Sequence, residues 1–127
     1  MTDEHSFDLA AAGLRADGPD LAIGIKVLAH KLEVALPHET RVERRSKRLF
    51  SKEKLVEAIE VTLGECRYAV RVRGHHVDAS RAQEVRGIVI KRESLELNAW
   101  VEALTAQLTD QATTSAAARE SLARLLD

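Results

Sequence analysis

The sequence predicts an α+β domain: an N-terminal helix, an antiparallel β-meander of four to five strands, and two C-terminal helices packed on one face. Three observations carry this expectation. Apolar residues recur at three- and four-residue steps over 20–36, and again over 97–111 and 115–126, the period of a helix buried on one side. Apolar and polar residues alternate within 40–92, the period of a half-buried strand. Two Gly-led dipeptides, Gly64-Glu65 and Gly74-His75, stand between alternating runs, where tight hairpin turns belong.

The elements follow in order. Residues 1–19 form an acidic N-terminal segment in which a short Ala-rich helix over 7–15 follows Ser6. The turn signal Ala16-Asp17-Gly18-Pro19 separates it from a single α+β domain over 20–127. Asp20 is the expected N-cap of the next helix, and Leu21, Ile25, Leu28, Leu32 and Ala35 form its apolar stripe. Pro37 ends it, because proline lacks the N–H and restricts Leu36. Gly24 at mid-helix suggests a close helix contact or simple tolerance. Arg41 to Phe50 alternates poorly and carries bases on both parities, so as a strand it belongs at an edge.

The two turns set a register. A two-residue type II′ turn at Gly64-Glu65 places Leu63 opposite Cys66, Val61 opposite Tyr68 and Ile59 opposite Val70. A second turn at Gly74-His75 places Val72 opposite Val77, Val70 opposite Ala79 and Arg71 opposite Asp78. Both turns sort the apolar residues onto one side, as a one-sided sheet requires. A further strand is expected over Glu84 to Arg92, with Gly87 marking a bulge or a close backbone approach. In the C-terminal helices, Leu97, Val101, Leu104 and Leu108 form one stripe, and Ala118, Leu122, Leu125 and Leu126 the other. The polar stretch Gln111 to Ser115 divides them, with Thr114 or Ser115 as N-cap.

Composition excludes several classes. The 127 residues suit one core of ordinary size, and 6 Gly with 2 Pro do not make a collagen-like or low-complexity chain. No apolar run reaches the roughly 18–20 residues of a membrane span, and the acidic start is not a secretory signal. The lone Cys66 forms no internal disulfide, which fits a reducing cytoplasm. The net charge of −1 hides an acidic–basic–acidic pattern, with the bases concentrated in the middle of the chain.

Few residues suggest chemistry. Arg41, Arg44, Arg45, Lys47, Arg48, Lys52 and Lys54 form a basic segment able to neutralise phosphates. Exposed aromatic residues for base stacking are scarce, Phe50 being the one candidate. His75, His76 and Asp78 supply at most two convergent ligands, short of a zinc site, and His30 and His38 are remote in sequence. Cys66 has no base beside it in sequence, and Glu57 and Glu60 point to opposite strand faces. No Gly-rich phosphate loop is present. No catalytic residue, metal site or cofactor is therefore expected.

The expectation is a non-enzymatic protein-interaction or adaptor module of a bacterial type of composition, a homodimer or a subunit of a larger assembly. The helical leucines Leu104, Leu108, Leu122, Leu125 and Leu126 are its expected interaction surface. The alternative is nucleic-acid or polyanion binding through 41–54. In order of elements alone, the chain resembles small dimeric nucleoid-associated proteins and secretion chaperones, with no motif that carries residues over.

Overall fold

The computed structural model describes residues 19–46 and 54–127. Helix α1 spans Pro19–Ala35, and strands β1 to β5 span Thr40–Ser46, Lys54–Leu63, Cys66–Arg73, His76–Val85 and Ile88–Leu95. Helices α2 (Leu97–Ala112) and α3 (Ala116–Leu126) close the chain. The strands form one antiparallel sheet in the order β1-β2-β3-β4-β5. Such a meander needs only short connections, and the turn residues supply three of them. The short helix expected over 7–15 lies outside the described residues.

The two central hairpins adopt the expected register. Leu63 pairs with Cys66, Val61 with Tyr68 and Ile59 with Val70. Val72 pairs with Val77, Val70 with Ala79 and Arg71 with Asp78. Gly64 and Gly74 have φ of 57° and 62°, while Glu65 and His75 keep negative φ. That combination belongs to the type II′ turn, which demands positive φ at its first central position only. Strand position does not decide the side-chain partner of Asp78. Asp78 pairs with Arg73 (3.6 Å) and has His76 Nε2 at 3.0 Å, rather than meeting Arg71 opposite it.

The fourth strand corrects the sequence reading. The run Glu84 to Arg92 is not one strand: β4 ends at Val85, β5 begins at Ile88, and Arg86-Gly87 is the turn between them. Both turn residues have positive φ, 54° and 81°, the requirement of a type I′ hairpin. Arginine is an unfavourable residue for the first of these positions, which is why the turn is hard to see in sequence. A bulge does exist, but at Ile90: Glu84 pairs with Val89 and Gln83 with Lys91, leaving Ile90 unpaired. A second irregularity between β1 and β2 pairs Glu43 with Ala58 and Arg44 with Val56, so Glu57 is the extra residue there.

Helix α1 already includes Pro19, so Asp20 falls inside its first turn instead of capping it. Proline suits that first position, where no intrahelical donor is needed. The helix ends before Pro37, and the Thr40 hydroxyl donates to Leu32 O (3.3 Å), tying the helix end to β1. Helix α1 packs on β1 and β2, and α2 packs on β3, β4 and β5. Helix α3 packs on the two other helices and forms an outer layer. Its N-terminus is capped by Ser115, which accepts from Ala118 N–H (3.1 Å).

The core lies between the helices and one sheet face, with Leu28, Leu32, Ile59, Val61, Tyr68, Val70, Trp100, Leu104, Leu108 and Leu125 almost fully buried. Each such aliphatic side chain contributes roughly 1.5–3 kcal/mol on leaving water. Tyr68 and Trp100 meet edge to face, centroids 6.0 Å apart. The Trp100 indole N–H donates to Ser80 O (3.1 Å), and the Gln107 amide donates to Leu63 O (2.9 Å). Helix α2 therefore crosses the sheet diagonally from β4 to the β2–β3 turn, moving sideways off β5.

Candidate interaction edge

The sheet has two outer strands, and their chemistry differs. Strand β1 carries Arg41, Glu43, Arg44 and Arg45, charged side chains that discourage pairing with another strand. Arg44 is also held by α1, donating twice to the Glu33 carboxylate, once at 3.0 Å. That bond holds the Glu33 carboxyl below the ordinary glutamate range and raises Arg44. Strand β5 instead opens with Ile88-Val89-Ile90, which are 66%, 44% and 58% exposed. These are three of the five exposed large apolar residues among the described ones, and they are consecutive; Ile23 and Val34 stand apart on α1.

Local structure explains this exposure. Strand β5 enters α2 after Glu96 alone, and α2 then turns inward over β4 and β3. The distal half of the β4–β5 hairpin extends past that cover. Ile88 pairs with Val85, whose parity belongs to the helix side, and Val89 pairs with Glu84, whose parity belongs to the bare side. Apolar side chains therefore stand on both faces of an outer strand whose other backbone edge has no strand beside it in the described sheet.

Charge around this edge is one-sided. The two hairpin acids nearest this edge are occupied: Glu84 pairs with Arg67 (3.0 Å) and Glu93 with Arg81 (3.7 Å). Arg81 is itself anchored. Its guanidinium lies over the Tyr68 ring, 5.6 Å from the centroid, and donates to Cys66 Sγ (3.7 Å). The Cys66 bond raises the Arg81 pKa, and burial pushes the Tyr68 hydroxyl up against the lowering effect of Arg81. By contrast, Arg86, Lys91 and Arg92 are exposed and form no ion pair among the described residues. Three unpaired cations thus flank three exposed apolar side chains.

The residues expected to bind partners fall elsewhere. Leu104, Leu108 and Leu125 are buried in the core, and Leu122 and Leu126 are half-buried against it. Packing of α3 on α1 and α2 accounts for the burial of the first three and the partial cover of the last two. The basic segment is divided. Arg41 is exposed, Arg44 is tied to Glu33, and Arg45 and Lys54 line a cavity with Leu21, Ile25, Val56 and Val72. Lys47, Arg48, Phe50 and Lys52 lie outside the described residues. The cavity measures about 110 Å³, well below the roughly 300–1,000 Å³ usual for ligand pockets.

The bare sheet face balances its own charge in part, Arg67 pairing with Glu60 (3.9 Å) and Glu84, and Arg73 with Asp78. Among the described residues no three His, Cys, Asp or Glu side chains group as metal ligands, and no helix is long and apolar enough to cross a membrane. The Cys66–Arg81 contact and the β5 edge both escaped the sequence reading. A weak signal for the edge was present in Gly87 before the Ile88-Val89-Ile90 run, masked by the arginine that precedes it.

No protein-family model matches the chain, and no curated protein or solved structure matches it either.

Proposed function

We propose that this chain is a non-enzymatic protein-interaction module that engages its partner along β5. The observation that carries the reading is the exposed Ile88-Val89-Ile90 on an outer strand whose other backbone edge has no strand beside it among the described residues. Exposed apolar side chains on such a strand make it a surface for strand addition. Covering the three side chains would contribute on the order of 3 kcal/mol, since each is about half exposed. A cytoplasmic location accords with the single Cys66.

Site-specific photo-crosslinking tests this. A benzophenone amino acid at position 90 is compared in cells with the same group at Ala106, an exposed residue of α2. Specific adducts from position 90, and few from position 106, are the expected result. Equal labelling at the two positions would refute the reading.

A further inference from the structure

We infer that the partner of the β5 edge is an extended acidic polypeptide segment, in which apolar residues alternate with Asp or Glu. This rests on the reading of β5 as the interaction surface and specifies its occupant.

The geometry requires an extended chain. The outer backbone edge of β5, unpaired among the described residues, offers N–H and C=O groups at strand spacing, which a new strand satisfies and a helix does not. An added strand also points alternate side chains to opposite faces. Ile88 and Val89 already stand on opposite faces of β5, so apolar residues of either parity in the incoming strand find a neighbour.

Charge selects the partner's sign. Arg86, Lys91 and Arg92 bracket the apolar triplet, and the nearest acids, Glu84 and Glu93, are engaged by Arg67 and Arg81. Opposite charges across neighbouring strands favour pairing and like charges oppose it. The same argument disfavours a second copy of this chain. Pairing two β5 strands antiparallel about Val89 brings the apolar triplets together, but it sets Arg86 of one copy opposite Arg92 of the other. An anionic bilayer fits less well. The hairpin apex is Arg86-Gly87, a charged tip, and the apolar side chains run along the strand behind it.

The test uses the full chain and fluorescence anisotropy. The probes are a short fluorescein-labelled peptide of alternating valine and glutamate, its valine–lysine counterpart, and the valine–glutamate peptide N-methylated throughout. The acidic peptide is expected to bind, more weakly as salt rises, and the other two at least about tenfold more weakly. Lys91→Glu with Arg92→Glu is expected to reverse the preference toward the lysine peptide, and Ile88→Ser with Ile90→Ser to weaken both. These exposed positions tolerate substitution, and circular dichroism verifies that each variant is folded.

Failure of the acidic peptide to bind, or equal binding of all three peptides, overturns the inference. Self-association by light scattering that is lost in Ile88→Ser/Ile90→Ser assigns the edge to a second copy. It overturns the acidic partner while leaving the edge intact. Binding to phosphatidylglycerol vesicles without peptide binding overturns the polypeptide partner altogether. Crosslinking from position 90 separates the two levels, because it reports on the edge whatever its occupant.

Discussion

Tyr68→Phe tests how α2 is locked to the sheet. The Tyr68 hydroxyl donates to Gln107 Oε1, with Ala103 O at 3.3 Å, and Gln107 in turn donates to Leu63 O. Removing the hydroxyl leaves the ring and its contacts with Trp100 and Arg81 in place. One hydrogen bond contributes about 1 kcal/mol net, and an acceptor left without its donor adds about 1 kcal/mol where water reaches it poorly. Gln107 is only half-buried, so a loss of about 1–2 kcal/mol is expected, or about 4–8 °C in Tm for a chain of this length. Urea denaturation should show a lower midpoint at unchanged slope. Tyr68→Phe combined with Gln107→Leu should cost less than the two single changes added together. There is also a pH signature. Burial raises the Tyr68 pKa above its ordinary 10.0, so the folded state holds that proton longer than the unfolded chain. Its contribution is complete below pH 10 and is lost as pH rises through the higher folded value, so the gap between wild type and Tyr68→Phe should narrow in alkali. A change under about 0.5 kcal/mol, with no coupling to Gln107, would refute the lock.

Other outcomes follow from single contacts. Arg86→Asn should raise stability by about 0.5–1 kcal/mol in thermal melts, since asparagine tolerates the positive φ of 54° better than arginine. Asn98→Ala should also stabilise, by up to about 1 kcal/mol, because its buried Oδ1 has no hydrogen-bond partner and alanine is the better helix former. Ser115→Ala should cost about 1 kcal/mol through the lost cap of α3, read as a lower urea midpoint. Glu33→Gln should remove less than about 0.5 kcal/mol, the ion pair being over a third exposed on the acid. The Glu33 pKa is depressed, so that small difference should be present above the ordinary glutamate value and vanish as pH falls through the folded one.

Local patterns in the sequence determined much of the fold. The stripe from Leu21 to Ala35 defined α1, Pro37 stopped it, and Ser115 stood where α3 needed a cap. The two Gly-led turns fixed pairing through β2, β3 and β4, because a two-residue loop leaves one register and a one-sided apolar face excludes a slip. Each of these depends on residues close in the chain, so their chemistry is visible without tertiary structure.

Tertiary structure decided which apolar residues have company. Leu104, Leu108 and Leu125 carry the pattern of an interface, yet α3 folding onto α1 and α2 buries them within the chain. Ile88, Val89 and Ile90 carry the pattern of a core strand, yet α2 leaves β5 after one residue and runs inward, so nothing described covers them. Periodicity states which face of an element avoids water. It does not state which neighbour arrives to cover that face, since packing depends on helix direction and on contacts between residues far apart in the chain. Asp78 shows the same limit at the scale of one ion pair. Its strand position was legible, but its choice of Arg73 and His76 over Arg71 depended on side-chain direction in three dimensions.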